Sequence, residues 1–317
     1  MARKSGRWLK TIASVGSVFG AIHAFNTWVA GRSSDKGLIK TTQGHYWHWK
    51  DMQIFYTVHG TGEKKLLLLH DLDPCSSGYE WKYLAPKVSE SYTIYVVDFP
   101  GFARSSKPAD TYVCYTFAQF IASFIKEVIG ESATICSSGL SGAASVLSAL
   151  NDPDCCEELV LINPPDLDEL RKTPDHAAYM HRVSLYMPVI GTFIYNMRYR
   201  KDSISSQLRE TCGSAFVRDY PVMIEASYEA SHYDHSKERY VCASLDGRLI
   251  NWDIRRALTL ITCPVTLICG GTSAAQQESS RKYKEYCKDA RIFCLSGAEQ
   301  KLHIQDAERI APLLLEL

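Results

Sequence analysis

Apolar residues along this chain fall into short continuous runs separated by polar loops. The runs Leu66–Asp71, Tyr92–Val97, Ala133–Cys136, Leu159–Pro165, Pro264–Gly270 and Arg291–Leu295 are dominated by leucine, isoleucine, valine or aromatic residues with little polar alternation. That is the pattern of strands covered on both faces, as in a parallel sheet. Tyr46–Trp49 instead lies in an alternating aromatic stretch and, with Gln53–His59, predicts an opening hairpin. Ala143–Leu150 and His303–Leu315 carry helix-like patterns, so strands and helices alternate. The expected fold class is α/β, a mostly parallel sheet flanked by helices. From Pro164 to about Asp253 the pattern turns helical, including His176–Arg200, which predicts a helical cap inserted into the sheet domain. The expected division is a first core part at 45–163, the cap at 164–253 and a second core part at 254–317. A stripe of Tyr179, Met180, Val183, Leu185, Tyr186 and Ile190 could line a cavity under the cap or pack on the sheet.

The N-terminus has a pattern of its own. Arg3, Lys4, Arg7 and Lys10 precede Thr11–Gly31, twenty-one residues without a charge. As a helix this length crosses the roughly 30 Å core of a bilayer. Residues 1–31 are therefore expected to form an uncleaved transmembrane anchor helix, and the polar 32–44 a linker. By the slight excess of basic residues ahead of the span, the domain is expected outside, giving a single-pass membrane protein with an extracytoplasmic domain. Ser14, Ser17, His23, Asn26 and Thr27 leave a surface-lying amphipathic helix open as the alternative.

The segment Ala133–Leu150 reads as strand, sharp turn and helix, with small residues Ser137, Gly139, Ser141 and Gly142 at the turn. A nucleophile elbow needs such neighbours because its central residue is held in strained backbone between strand and helix. Around it, His70-Asp71 follows a strand, Asp98-Phe-Pro-Gly-Phe-Ala-Arg-Ser105 follows the next, and LVLINP follows the elbow. With these motifs in this order, the chain resembles the α/β-hydrolase superfamily, esterases and lipases included, from about Tyr46 to its end.

The resemblance implies where a catalytic triad should lie, and each position carries a residue unfit for it. Counting back from Pro153 puts Gly139 at the nucleophile, Ser273 stands near the expected acid, and Gln300 takes the place of the base histidine. A serine needs an imidazole to remove its proton and the imidazole needs a carboxylate to fix its tautomer, so this set is degenerate. Asp71, Leu72 and Leu140 fall at the implied oxyanion site and pocket. A carboxylate at Asp71 about 4 Å from a developing oxyanion would oppose it by roughly 4 kcal/mol at an effective dielectric near 20, unless it points to solvent.

Displaced sets remain open. A two-residue shift reads Gly139-Leu-Ser141-Gly-Ala143 with Ser141 as nucleophile, while Ser138 should point to the opposite side of the strand end. Asp166 or Asp168 after LINPP could supply the acid and His303 the base, though the structural role of His303, packing a helix start, is weighed ahead of the catalytic one. His45 and His48 should face opposite sides of a strand, and His232 with His235 reads as solvated surface, so no metal and no cofactor is implied.

Composition narrows the partners. With 317 residues and 46% hydrophobic content the chain can bury one large core and a cap. The balance of 35 basic and 35 acidic residues implies no nucleic-acid partner. Of eleven cysteines, Cys136, Cys269 and Cys294 fall in expected core strands and read as small buried hydrophobes, and Cys155-Cys156 are the better redox candidates. The expected function is a membrane-anchored hydrolase-fold protein that has lost its triad and binds a small apolar ligand or a protein partner. The alternative is an active carboxylester hydrolase of ester-like substrates using Ser141 or Ser138 with Asp166 and His303.

Overall fold

The computed structural model describes residues 2–33, 35–41, 43–212, 220–271, 274–297 and 300–317, with backbone alone at 2–13, 15 and 274–276. Eight strands form one sheet: β1 (Gly44–Trp49), β2 (Met52–His59), β3 (Lys64–Leu69), β4 (Tyr92–Val97), β5 (Ala133–Ser138), β6 (Cys156–Ile162), β7 (Val265–Gly270) and β8 (Arg291–Leu295). Their order is β1-β2-β4-β3-β5-β6-β7-β8. β1 and β2 pair antiparallel, as do β2 and β4, and every other pairing is parallel.

The unbroken apolar runs are explained by burial on both faces. Leu67 and Leu69 of β3 join the core on one side of the sheet, and Leu66 and Leu68 join that on the other. β1, at the edge, alternates: Trp47 and Trp49 pack on Phe124 and Phe120 of the helix Cys114–Phe124, while Tyr46 stays largely exposed. His45 lies over Tyr56, and His48 bonds Gln53, so the two histidines are separated by the pleat.

Helices between β6 and β7 make the cap. The run expected as helical from His176 to Arg200 is two helices, His176–Tyr186 and Ile190–Arg198. Pro188 is the cause: it drives Met187 into extended backbone (ψ 128°), and Val189 turns the chain at φ +63°. Tyr179 and Met180 of the expected stripe are exposed and Leu185 is buried in the cap's own core, so the stripe does not line a cavity. The final helix is also divided, into Leu302–Gln305 and Ala307–Leu315, at Asp306.

The N-terminal segment forms helix α1 (Ala2–Arg32). Its second half lies against the cap: Asn26, Val29 and Ser33 are buried, and Phe25 meets Phe193 edge-on at 5.5 Å. Among the described residues no helix is long and apolar enough to cross a membrane. Cys155 and Cys156, expected to be available for redox chemistry, are buried, and burial pushes the Cys155 thiol up to about 11.

Candidate functional site

β5 ends at Ser138, Gly139 follows at φ +61°, and Leu140 leads into the helix Ser141–Asn151. A left-handed residue between strand and helix is the backbone geometry of a nucleophile elbow, and Gly139 has it. The Gly139 N–H donates to Ile162 O at 3.0 Å, so β6 holds the turn in place.

The space beside Gly139 is taken by a neighbour. A Cβ at this position would lie 2.3 Å from Cγ of Asp71 and 2.4 Å from each of its carboxylate oxygens. Asp71 therefore points inward, and its Oδ1 accepts the Leu140 N–H at 2.7 Å. That N–H follows the elbow residue and is the donor a hydrolase would aim at an oxyanion. Burial raises Asp71 to about 7, with Lys301 opposing the rise and Asp73 adding to it. His70 ties two loops together, since its Nε2 accepts the Phe99 N–H at 3.1 Å while Nδ1 faces Asp71 O at 2.7 Å.

Behind the elbow lies a buried ionic network. Glu80 and Lys301 pair at 2.5 Å, and the Lys301 ammonium also donates to Ser76 Oγ at 2.9 Å. Glu80 Oε2 meets His303 Nε2 at 3.2 Å, and His303 Nδ1 meets Ser138 Oγ at 3.3 Å. A carboxylate only accepts, so these partners assign the proton to Nε2 and let Nδ1 accept from the serine. Burial alone would raise Glu80, but Lys301 and His303 hold its carboxyl far below the usual range. Burial depresses His303, against the pull of Glu80, so the imidazole is neutral near pH 7. The Trp81 ring covers it, with centroids 4.4 Å apart.

The displaced sets expected from sequence are thus only partly assembled. Ser138 and His303, members of one expected displaced set, are brought together at 3.3 Å. Ser141 is buried and donates to Ser138 O at 2.8 Å. Asp166 pairs with Lys282 at 3.1 Å and accepts the Asp168 N–H, so it does not orient His303. The acid on His303 is Glu80, which sequence reasoning missed. It is the sole carboxylate between Asp73 and Glu90, but its burial could not be read from that. Gln300 is exposed; its N–H and that of Lys301 donate to Thr211 O of the cap, and Asn163 Nδ2 holds Gln300 O at 2.6 Å. Ser273 lies outside the described residues.

A cavity of about 750 Å³ opens over the elbow and includes Ser138, Gly139 and Leu140 in its wall. Leu72, Pro164 and Pro165 give it apolar surface, but Asp71, Asp73, Asp166, Glu169 and Lys301 also line it. Gln207 and Thr211 come from a cap helix, Lys201–Cys212, and Gln207 donates to Asp73 at 3.0 Å. Among the described residues no group of three His, Cys, Asp or Glu side chains is placed to hold a metal.

The parallel sheet, the left-handed elbow and the cap between β6 and β7 define a hydrolase-type α/β protein. A model of the alpha/beta hydrolase family matches residues 57–313, and the chain belongs to that family. It is similar in structure to a probable hydrolytic enzyme from Pseudomonas aeruginosa PAO1, with TM-score 0.70 and 17% identity over 86% of this chain and 93% of that one. An enol-lactonase from Burkholderia xenovorans LB400 aligns with TM-score 0.68 and 16% identity, covering 86% and 98%. A membrane phospholipase A described as a bacterial virulence factor aligns with TM-score 0.64 and 18% identity, over 100% of this chain and 97% of that one. At these identities the likeness speaks to fold.

Proposed function

We propose that this member of the alpha/beta hydrolase family is catalytically degenerate, and that its cavity binds a ligand or partner rather than hydrolysing an ester. The observation that carries this reading is the Asp71 carboxylate. It stands in the space a nucleophilic side chain at residue 139 would need and accepts the Leu140 N–H that would stabilise an oxyanion. With that donor occupied by an internal acceptor, a tetrahedral intermediate would have to displace it. The carboxylates and Lys301 in the wall favour a ligand with polar groups of its own over an apolar one.

One observation favours a second reading, an active hydrolase with Ser138 as nucleophile: its hydroxyl reaches an imidazole that a carboxylate backs. Against it, the imidazole is weakened as a base by burial and by Lys301. The full-length protein, its Ser138→Ala variant and its Ser141→Ala variant are treated with a fluorophosphonate probe and with nitrophenyl acetate. Degeneracy requires no labelling and equal background turnover in all three; labelling lost only in Ser138→Ala would replace it with the second reading.

Membrane attachment through α1 belongs to the same proposal. Val18, Phe19 and Trp28 of α1 project outward, large and apolar, behind the basic residues of the first ten. The similar membrane phospholipase A, aligned over the whole chain, is consistent with it. Since no described helix is apolar enough to cross, the helix is proposed to lie on the surface. Flotation with anionic vesicles, abolished in a Val18→Asp/Phe19→Asp variant, is the expected outcome.

A further inference from the structure

Cys156 opens β6 and Cys263 stands just ahead of β7, so the two thiols lie at the start of neighbouring parallel strands. Ala133 of β5 pairs with Cys156 and Thr134 with Glu158, which leaves Glu157 as an extra residue, a β-bulge. Strict alternation would put Cys156 on the face of Val160 and Ile162. The bulge turns it to the other face, where it is buried in one core with Leu159 and Val265. Cys263 packs against that same core but keeps part of its surface open. The Leu159 N–H donates to Pro264 O at 2.9 Å, which ties the segment carrying Cys263 to β6.

The two side chains are in contact, the Cys156 S–H donating to the Cys263 sulfur. Neighbouring strands run roughly 4.8 Å apart, within the backbone separation a disulfide bridges. The hydrogen bond lowers the Cys263 thiol from its usual value, against burial, and together with burial it raises Cys156. The thiol that gives up its proton more readily is thus the one with open surface, and the thiol that keeps its proton is buried beside it. That divides the two between attack and resolution. Cys155 takes no part, because its Sγ is directed to Ala122 O of the helix Cys114–Phe124, at 4.0 Å.

We propose that Cys156 and Cys263 form a redox modification site, oxidised to a disulfide by hydroperoxides and reduced again by dithiols. The Cys263 thiolate attacks the peroxide, the O–O bond breaks, Cys263 becomes a sulfenic acid, and the other oxygen leaves protonated as an alcohol or water. The Cys156 thiol then attacks that sulfur. The S–S bond forms, the S–O bond breaks, and the thiol proton leaves with the hydroxyl as water. Two thiols together give up two electrons and one peroxide takes them. The cap lies between these cysteines in the chain, so the bond staples the place where the chain leaves the sheet for the cap to the place where it returns. A cross-link closing so long a loop restrains the unfolded chain strongly. The site is independent of whether the elbow hydrolyses anything.

Full-length protein, reduced and then freed of reductant, is treated with hydrogen peroxide at an equimolar dose. Its remaining thiols are blocked, and its peptides are mapped by mass spectrometry with and without reduction. The expected result is a dominant Cys156–Cys263 cross-link that dithiothreitol reverses, with a melting temperature about 5 °C above that of the reduced protein. In Cys156→Ala the sulfenic acid on Cys263 has no thiol to resolve it and is trapped by dimedone; in Cys263→Ala no adduct forms on Cys156. Should Cys156→Ala fail to fold, the mapping of wild type decides alone. Free thiols at both positions after oxidation, a cross-link from Cys263 to Cys155 or Cys287 in place of Cys156, or an unmoved melting temperature in the cross-linked protein would each overturn the proposal.

Discussion

Asp71 and Gly139 share one volume: the carboxylate of the first occupies the place where a side chain on the second would begin, 2.3 Å from the position of its Cβ. Each residue therefore constrains the other. Gly139→Ala meets two penalties, the left-handed backbone at φ +61° and the collision with Asp71. Together they should destabilise the protein by about 3 kcal/mol. Asp71→Gly removes the collision alone, so the double variant should recover at least about 1 kcal/mol relative to additivity. Urea unfolding of the four proteins reads this coupling, and strict additivity would mean that the two residues do not compete for space.

Asp71 should also leave a signature in pH. Its folded carboxyl is raised from 3.8 to about 7 by burial, so the fold favours the protonated form. A raised group contributes stability below its unfolded value and loses it as pH climbs through the folded value. Buried histidines tilt the wild-type curve the other way in the same window, so a difference is the clean reading. Asp71→Asn keeps an acceptor for Leu140 but cannot ionise. Between pH 4 and 7 it should gain about 2 kcal/mol over wild type, roughly half the full conversion of the shift because solvent reaches part of the carboxylate. A gap independent of pH would place the titration elsewhere.

The Glu80–Lys301 pair is buried and backed by Ser76 and His303. Glu80→Gln is nearly isosteric but leaves the ammonium buried without its counter-charge, a loss of about 3 kcal/mol. Adding Lys301→Met should restore most of it. Because the Glu80 carboxyl is held low, its contribution is complete above the unfolded value near 4.5 and fades as pH falls below that. The gap between wild type and Glu80→Gln should accordingly close toward pH 2 in denaturant titrations.

What was legible in the chain follows from how local each cause is. Leu66–Leu69 announced a strand buried on both faces because nothing but their own side chains was needed. The small residues at the elbow announced the turn for the same reason, and the order of motifs identified the family. Pro188, which splits the cap helix, is a local cause too, since a proline inside a helical pattern ends the helix at the residue before it. Other relationships depend on long-range placement. Glu80 and His303 are 223 residues apart, and whether Asp71 faced solvent or Gly139 depended on the path of a loop. Residue type alone could name Asp71 as an obstacle but could not show which way it pointed.

Asn26 makes the position of α1 testable. Its Nδ2 donates to Val189 O at 2.9 Å, just after the turn that Pro188 imposes, and its Oδ1 accepts from Asn196 Nδ2 at 3.1 Å. Ser236 Oγ completes the chain by donating to Asn196 Oδ1 at 2.7 Å. This is a buried polar series between α1 and the cap, and cutting it at one end leaves donors and acceptors unpaired. Asn26→Leu should therefore cost about 2 kcal/mol and lower the melting temperature of the full-length protein by a few degrees. Asn196→Ala should cost a similar amount, with the double variant well short of the sum. A helix seated in a bilayer away from the cap predicts the opposite, because Asn26→Leu would then only make it more apolar. An unchanged or raised melting temperature would detach α1 from the domain, and a lowered one in detergent-free buffer ties it to the cap.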